Sequence, residues 1–89
     1  MTYSIIRTKQ ADKDLRKLPK NIALKIINKL EKLAVDPYKI NNNVTALSGN
    51  DAFRLRVGNY RAIYYLEDDK LILTLVRIKH RKEVYDEKY

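Results

Sequence analysis

Two basic clusters carry the chemistry that this chain could perform. Arg54, Arg56 and Arg61 stand in the run Phe53-Arg-Leu-Arg-Val-Gly-Asn-Tyr-Arg61, and Arg77, Lys79, His80, Arg81 and Lys82 follow later. A guanidinium is a planar fork that grips a phosphate at two points, so both clusters read as a phosphate-backbone site. His80 is the only histidine. An imidazole suits proton transfer, although a lone histidine is more often structural. Tyr85 has two readings as well: a ring that anchors the C-terminal end, or a phenol that loses its proton more easily beside arginines. Tyr60, Tyr64 and Tyr65 read as packing or base-stacking residues. No Ser-His-Asp spacing, glycine-rich phosphate loop or close carboxylate pair points to another enzyme class.

A hairpin must position the first cluster. The residues from Phe53 to Val57 alternate apolar and basic, as a half-buried strand does. Gly58-Asn59 then marks a tight turn, because glycine supplies the positive φ that such a turn needs. With those two as the loop, Val57 pairs with Tyr60, Arg56 with Arg61 and Leu55 with Ala62. Residues directly opposite share a face. The three arginines therefore cluster on one side, while Phe53, Leu55, Val57, Tyr60, Ala62 and Tyr64 take the other. Like charges so placed repel each other, and an anion would relieve them.

Length and composition bound the rest. Eighty-nine residues with an ordinary apolar fraction make one domain, residues 1–89. The net charge of +8 favours a polyanionic partner. Cysteine is absent, which excludes disulfides, thiol catalysis and zinc-thiolate sites. One histidine and scattered carboxylates speak against a metal site, and no cofactor is expected. The start has no signal-peptide layout and no stretch is long enough to span a bilayer, so no membrane role and a cytoplasmic location are expected.

The remaining elements follow in order. Tyr3 to Thr8 reads as a strand. Ala11, Leu15 and Leu18 line one stripe of a helix that starts at Lys9. A second helix is predicted from about Pro19 to Val35, on the stripe Ile22, Ile26, Leu30, Leu33 and Ala34, and Asp36-Pro37 ends it. The lysines of both helices, Lys25 and Lys29 among them, read as a solvated face. Tyr38 to Asn43 is a loop, Val44 to Leu47 a short extended piece, and residues 48–51 a turn. Strands Phe53–Val57, Tyr60–Glu67 and Lys70–Ile78 complete the sheet. A two-residue turn at Asp68-Asp69 would set Arg61 against Val76 and Ile63 against Thr74. The fold class is α+β: an N-terminal strand, an antiparallel helix pair, a C-terminal antiparallel sheet and a short charged tail. The sheet face away from the helices would then carry the arginines together with Ile63, Tyr65, Ile72, Thr74, Val76 and Ile78, and its half-exposed aliphatics suit a partner surface.

The motifs Leu47-Ser-Gly49, Phe53 to Arg61, Ile63-Tyr64, His80-Arg81 and Val84-Tyr85 resemble the RelE/ParE superfamily of bacterial and archaeal toxins of type II toxin–antitoxin systems. The resemblance covers nearly the whole chain. The RelE branch cleaves messenger RNA in the ribosomal decoding site, with a ribose 2′-hydroxyl attacking the adjacent phosphate to leave a 2′,3′-cyclic phosphate. By position, Arg61 matches a catalytic arginine that steadies the phosphorane, and Arg54 matches a basic position of the family sheet. Arg81 and Lys79 are rival matches for a second cation. Tyr85 matches a C-terminal tyrosine that transfers a proton or stacks on a base. The residue reading and the resemblance together give Arg61, Arg81, Tyr85 and His80 as catalytic candidates and Arg54, Arg56, Lys79 and Arg77 as RNA-binding ones. The resemblance implies no metal, and it implies a cognate antitoxin that wraps the toxin. One departure is Ala52, where strongly cleaving members often carry a lysine proposed as the base. The ParE branch, which shares the fold and blocks DNA gyrase without a nuclease site, is therefore the alternative, beside a catalytically weak RNA-binding member.

Overall fold

Thr8 separates the first strand from the first helix and ties both to the last strand. Its Oγ1 accepts from the Ala11 N–H at 3.1 Å, which caps the helix, and donates to the Val76 carbonyl at 2.9 Å. A computed structural model describes residues 2–47 and 51–84. In order these form β1 (Ser4–Arg7), α1 (Lys9–Lys17), α2 (Lys20–Val35), β2 (Val44–Ala46), β3 (Ala52–Val57), β4 (Tyr60–Glu67), β5 (Ile72–His80) and α3 (Arg81–Val84). One five-stranded sheet has the order β1-β5-β4-β3-β2. β1 runs parallel to β5, and every other pairing is antiparallel. The α+β reading holds, with the short extended piece joining the sheet as its β2 edge.

The β3–β4 hairpin has the register that its turn predicts: Val57 pairs with Tyr60, Arg56 with Arg61 and Leu55 with Ala62. Gly58 has φ +58°, and Asn59 is not left-handed. That combination matches the type II′ turn, whose first central residue is glycine.

The β4–β5 register differs from expectation. Asp68 to Leu71 form a four-residue connection, with Leu71 left-handed at φ +53°, so Glu67 pairs with Ile72. A second shift follows: Tyr64 pairs with Leu75, but Ile63 pairs with Arg77. Val76 is the extra residue of a β-bulge. Arg61 consequently faces Lys79 rather than Val76, and Ile63 faces Arg77 rather than Thr74. Because strand side chains alternate, one inserted residue inverts every later position. Leu73 and Leu75 point to the helices before the bulge, and Ile78 does so after it.

The core lies between the helices and this inner face. Ala11 and Leu15 of α1 and Ile26, Leu30, Leu33 and Ala34 of α2 pack on Leu55, Val57, Ala62, Tyr64, Leu73, Leu75 and Ile78. Tyr64 is wholly buried, with its ring stacked on Phe53 at 5.5 Å. The expected outer face is thereby corrected at two positions, since Ile78 belongs to the core and Ile63 is 0% exposed, while Tyr65, Ile72 and Val76 are partly exposed as expected. More exposed apolar side chains sit at Ile6, Leu24, Val35 and Ile40. No described helix is long and apolar enough to cross a membrane.

Candidate nucleic-acid interface

The hairpin turn sets Arg56 and Arg61 opposite each other on the outer face, with Arg54 two residues earlier on the same side. The turn also receives α3: the Arg81 N–H donates to the Asn59 carbonyl at 2.7 Å, which starts this helix beside the hairpin tip. Arg54, Arg56, Arg61 and Arg81 thereby line one cleft of about 210 Å³ with Asn42, Asn43 and Thr45. A neighbouring cleft of about 390 Å³ shares Asn43, Arg56, Arg61 and Arg81 and adds Lys25 and Lys29 from α2. Among the described residues, no carboxylate lines either cleft. A concave site of one charge sign focuses the field and concentrates counter-ions, here anions.

Local bonds orient two of these cations. Arg61 Nη1 donates to the Gly58 and Tyr60 carbonyls, at 2.9 Å each. Arg56 donates to Asn43 Oδ1 from Nε at 3.2 Å and from Nη2 at 2.9 Å. The Asn43 backbone carbonyl accepts the Arg56 N–H at 2.7 Å. A guanidinium held through Nε and one Nη keeps further N–H groups for a ligand.

The other predicted residues fall elsewhere. Lys79 lies opposite Arg61 but is 3% exposed and lines neither cleft. Arg77 bonds to Asp14 of α1 at 3.0 Å and lines neither cleft. Burial by itself would raise the Asp14 carboxyl, but hydrogen bonds from Ile78, Gln10 and Arg77 outweigh it and hold the group below its ordinary value.

His80 pairs with Tyr60, whose ring packs on the core, so it lies on the helix side of the sheet. Its ring meets Tyr60 edge-on at 5.5 Å, and Nδ1 accepts from the Lys82 N–H at 3.3 Å. The imidazole thus stands on the face opposite the arginines, and the bulge at Val76 is the reason. Tyr85, Ser48 and Gly49 lie outside the described residues. Ala52 shares the arginine face, is buried at 1% exposure and lines neither cleft.

Several lining residues went unseen in the sequence. Asn42, Asn43 and Thr45 looked like loop and strand-edge residues, and only the β2–β3 pairing brings them beside the arginines. Lys25 and Lys29 carried a weak signal in their i, i+4 spacing, which a merely solvated helix face shares. The described phenols whose pKa departs from the ordinary value all move upward. Hydrogen bonds to Asp68 raise Tyr38 to about 12 and also raise Tyr3, and burial raises Tyr64. Among the described residues, no three His, Asp or Glu side chains are grouped to hold a metal ion.

Comparison with known proteins places this geometry in context. A family model described as the ParE toxin of the type II toxin–antitoxin system parDE matches residues 5–85. The chain is 29% identical to Toxin RelG of Mycobacterium tuberculosis over 87 residues, 96% of this chain and 98% of that one. Its fold superposes on the archaeal RelE–RelB complex from Pyrococcus horikoshii with a TM-score of 0.79 and 29% identity, covering 91% of this chain and 97% of that one. For a mutant Escherichia coli toxin RelE in the free state the TM-score is 0.78 with 26% identity, covering 98% and 94%.

Proposed function

The chain belongs to the RelE/ParE family of type II toxin–antitoxin toxins, and on that premise we propose that it is a RelE-like endoribonuclease that cuts messenger RNA on the ribosome. The observation that carries this reading is the convergence of Arg54, Arg56, Arg61 and Arg81 on one cleft that no carboxylate of the described residues lines. RNA cleavage needs cations where charge develops at phosphorus. The 2′ oxygen bonds to phosphorus, the bond from phosphorus to the 5′ oxygen breaks, and a 2′,3′-cyclic phosphate remains. The 2′-hydroxyl gives up one proton and the 5′ oxygen gains one. Arg61 and Arg81 steady the phosphorane, and Arg54 and Arg56 hold the flanking backbone. No imidazole or carboxylate of the described residues lines the cleft, and by its match to the family's C-terminal tyrosine Tyr85 is the proposed proton-transfer group. The cognate antitoxin is the proposed protein partner, covering the exposed Ile6, Leu24, Val35 and Ile40.

A second reading, gyrase inhibition without cleavage, draws on the ParE description of the family model and on Ala52, which supplies no base. Expression in a bacterium with mapping of transcript 5′ ends separates the two. The nuclease reading expects new 5′ ends within translated regions, lost in Arg61→Ala. Supercoiling inhibition with unchanged transcript ends would replace it with the gyrase reading.

A further inference from the structure

Asn43 is held from three directions. Its N–H donates to Asn41 Oδ1 at 2.9 Å, its carbonyl accepts the Arg56 N–H at 2.7 Å, and its Oδ1 accepts both Nε and Nη2 of Arg56. The last contact fixes the amide orientation on chemical grounds, because arginine has only donors and must face the oxygen. What remains is Nδ2, with two N–H donors and no acceptor among the described residues. Asn43 lines both arginine clefts. An unconstrained asparagine offers one donor and one acceptor, which is the pair that recognises adenine. Here the acceptor half is occupied, and only the donor half meets a ligand.

We propose that Asn43 selects the nucleobase beside the bound phosphate, favouring a keto oxygen over an amino group on the edge turned towards it. Uracil O4 and guanine O6 accept from Nδ2. Cytosine N4 and adenine N6 would set donor against donor and forgo that hydrogen bond. The arginines read the backbone and carry no sequence information. Asn43 adds the base discrimination at the wall facing them. This inference rests on the cleft being an RNA site, which the proposed function assumes.

Uracil and cytosine are the sharpest pair of probes, since the carbonyl of one is replaced by the amino group of the other. Labelled oligouridylate and oligocytidylate of equal length are titrated by fluorescence anisotropy against wild type, Asn43→Asp, Asn43→Ala and Arg61→Ala. Wild type is expected to bind oligouridylate about three- to tenfold more tightly, the worth of one hydrogen bond. Asn43→Asp keeps the acceptor that orients Arg56 but puts a second acceptor where the donor was, which would pair with cytosine N4, so the ratio falls to one or below. Asn43→Ala loses the ratio as well. Arg61→Ala weakens both ligands and leaves the ratio unchanged. Stacking differences between the oligonucleotides cancel when variants are compared by ratio. A wild-type ratio of one, or a ratio that survives in Asn43→Asp, overturns the role of Asn43. Unchanged affinity in Arg61→Ala, or no binding by wild type, overturns the cleft itself.

Discussion

Arg77 donates from Nε to Asp14 Oδ2 at 3.0 Å, and the same oxygen accepts the Ile78 N–H at 2.9 Å. Asp14 therefore closes the edge of β5 where β1, whose pairing ends at Leu75, no longer covers it. A basic residue of the sequence cluster is thus used to hold α1 on the sheet.

This contact sets a pH dependence. The Asp14 carboxyl titrates below its unfolded value of 3.8. A group whose folded pKa is depressed contributes stability in full above the unfolded value, and that stability is lost as pH falls through the folded one. Asp14→Ala is expected to cost about 2 kcal/mol at neutral pH, because it removes charge-assisted hydrogen bonds at a half-buried site. Asp14→Asn costs less, since its oxygen still accepts from Ile78. Urea denaturation at a series of pH values checks this. The gap between wild type and Asp14→Asn should narrow below about pH 4 and vanish once the carboxyl is protonated.

Arg81 and Arg77 should separate in salt titrations of RNA binding. Each phosphate contact on a single strand contributes a slope of about 0.7 in log K against log salt. Arg81→Ala is expected to flatten the slope by about that amount, with the fold unchanged. Arg77→Ala leaves the slope alone and instead lowers stability by about 1–3 kcal/mol, because Asp14 loses its cation. Equal slope losses in both variants would place Arg77 in the interface.

His80 is expected to be dispensable for chemistry. A general base or acid contributes about 10²–10⁴ in rate, yet the His80 ring lies on the far face of the sheet. Transcript cleavage by His80→Gln should stay within about threefold of wild type, well short of that range. A hundredfold loss with unchanged thermal stability would return the imidazole to the reaction.

Tyr64 carries a buried hydroxyl with no hydrogen-bond partner among the described residues. Leaving a polar group so placed costs about 1–3 kcal/mol. Tyr64→Phe keeps the ring against Phe53 and removes that cost, so a rise in the urea midpoint of about 1 kcal/mol equivalent is expected. A lower midpoint would mean that the hydroxyl contributes to packing after all.

What was legible in the sequence was local. Gly58-Asn59 is a two-residue turn, and a turn of known length sets the register of both strands that leave it. The facing of Arg56 by Arg61 followed from that alone, as did the core side of Leu55, Val57 and Ala62. The helix stripes were legible for a similar reason, since their periodicity repeats over several turns. The family motifs lie on this hairpin, just before it at Leu47 to Gly49, and at the end of the last strand and beyond it, from His80 to Tyr85.

Tertiary structure decided which face the last strand shows. No glycine marks the four-residue turn, in which Leu71 takes the left-handed conformation that glycine usually supplies. No residue type announces the bulge at Val76 either. That one extra residue turns Ile78 and His80 towards the helices and sets Lys79 across from Arg61. Strand alternation has a period of two, so a local count fails by a whole face when one residue slips. The place of Arg81 in the cleft, and of Asn43 beside Arg56, depended likewise on chain segments meeting across the sheet, which no nearest-neighbour pattern encodes.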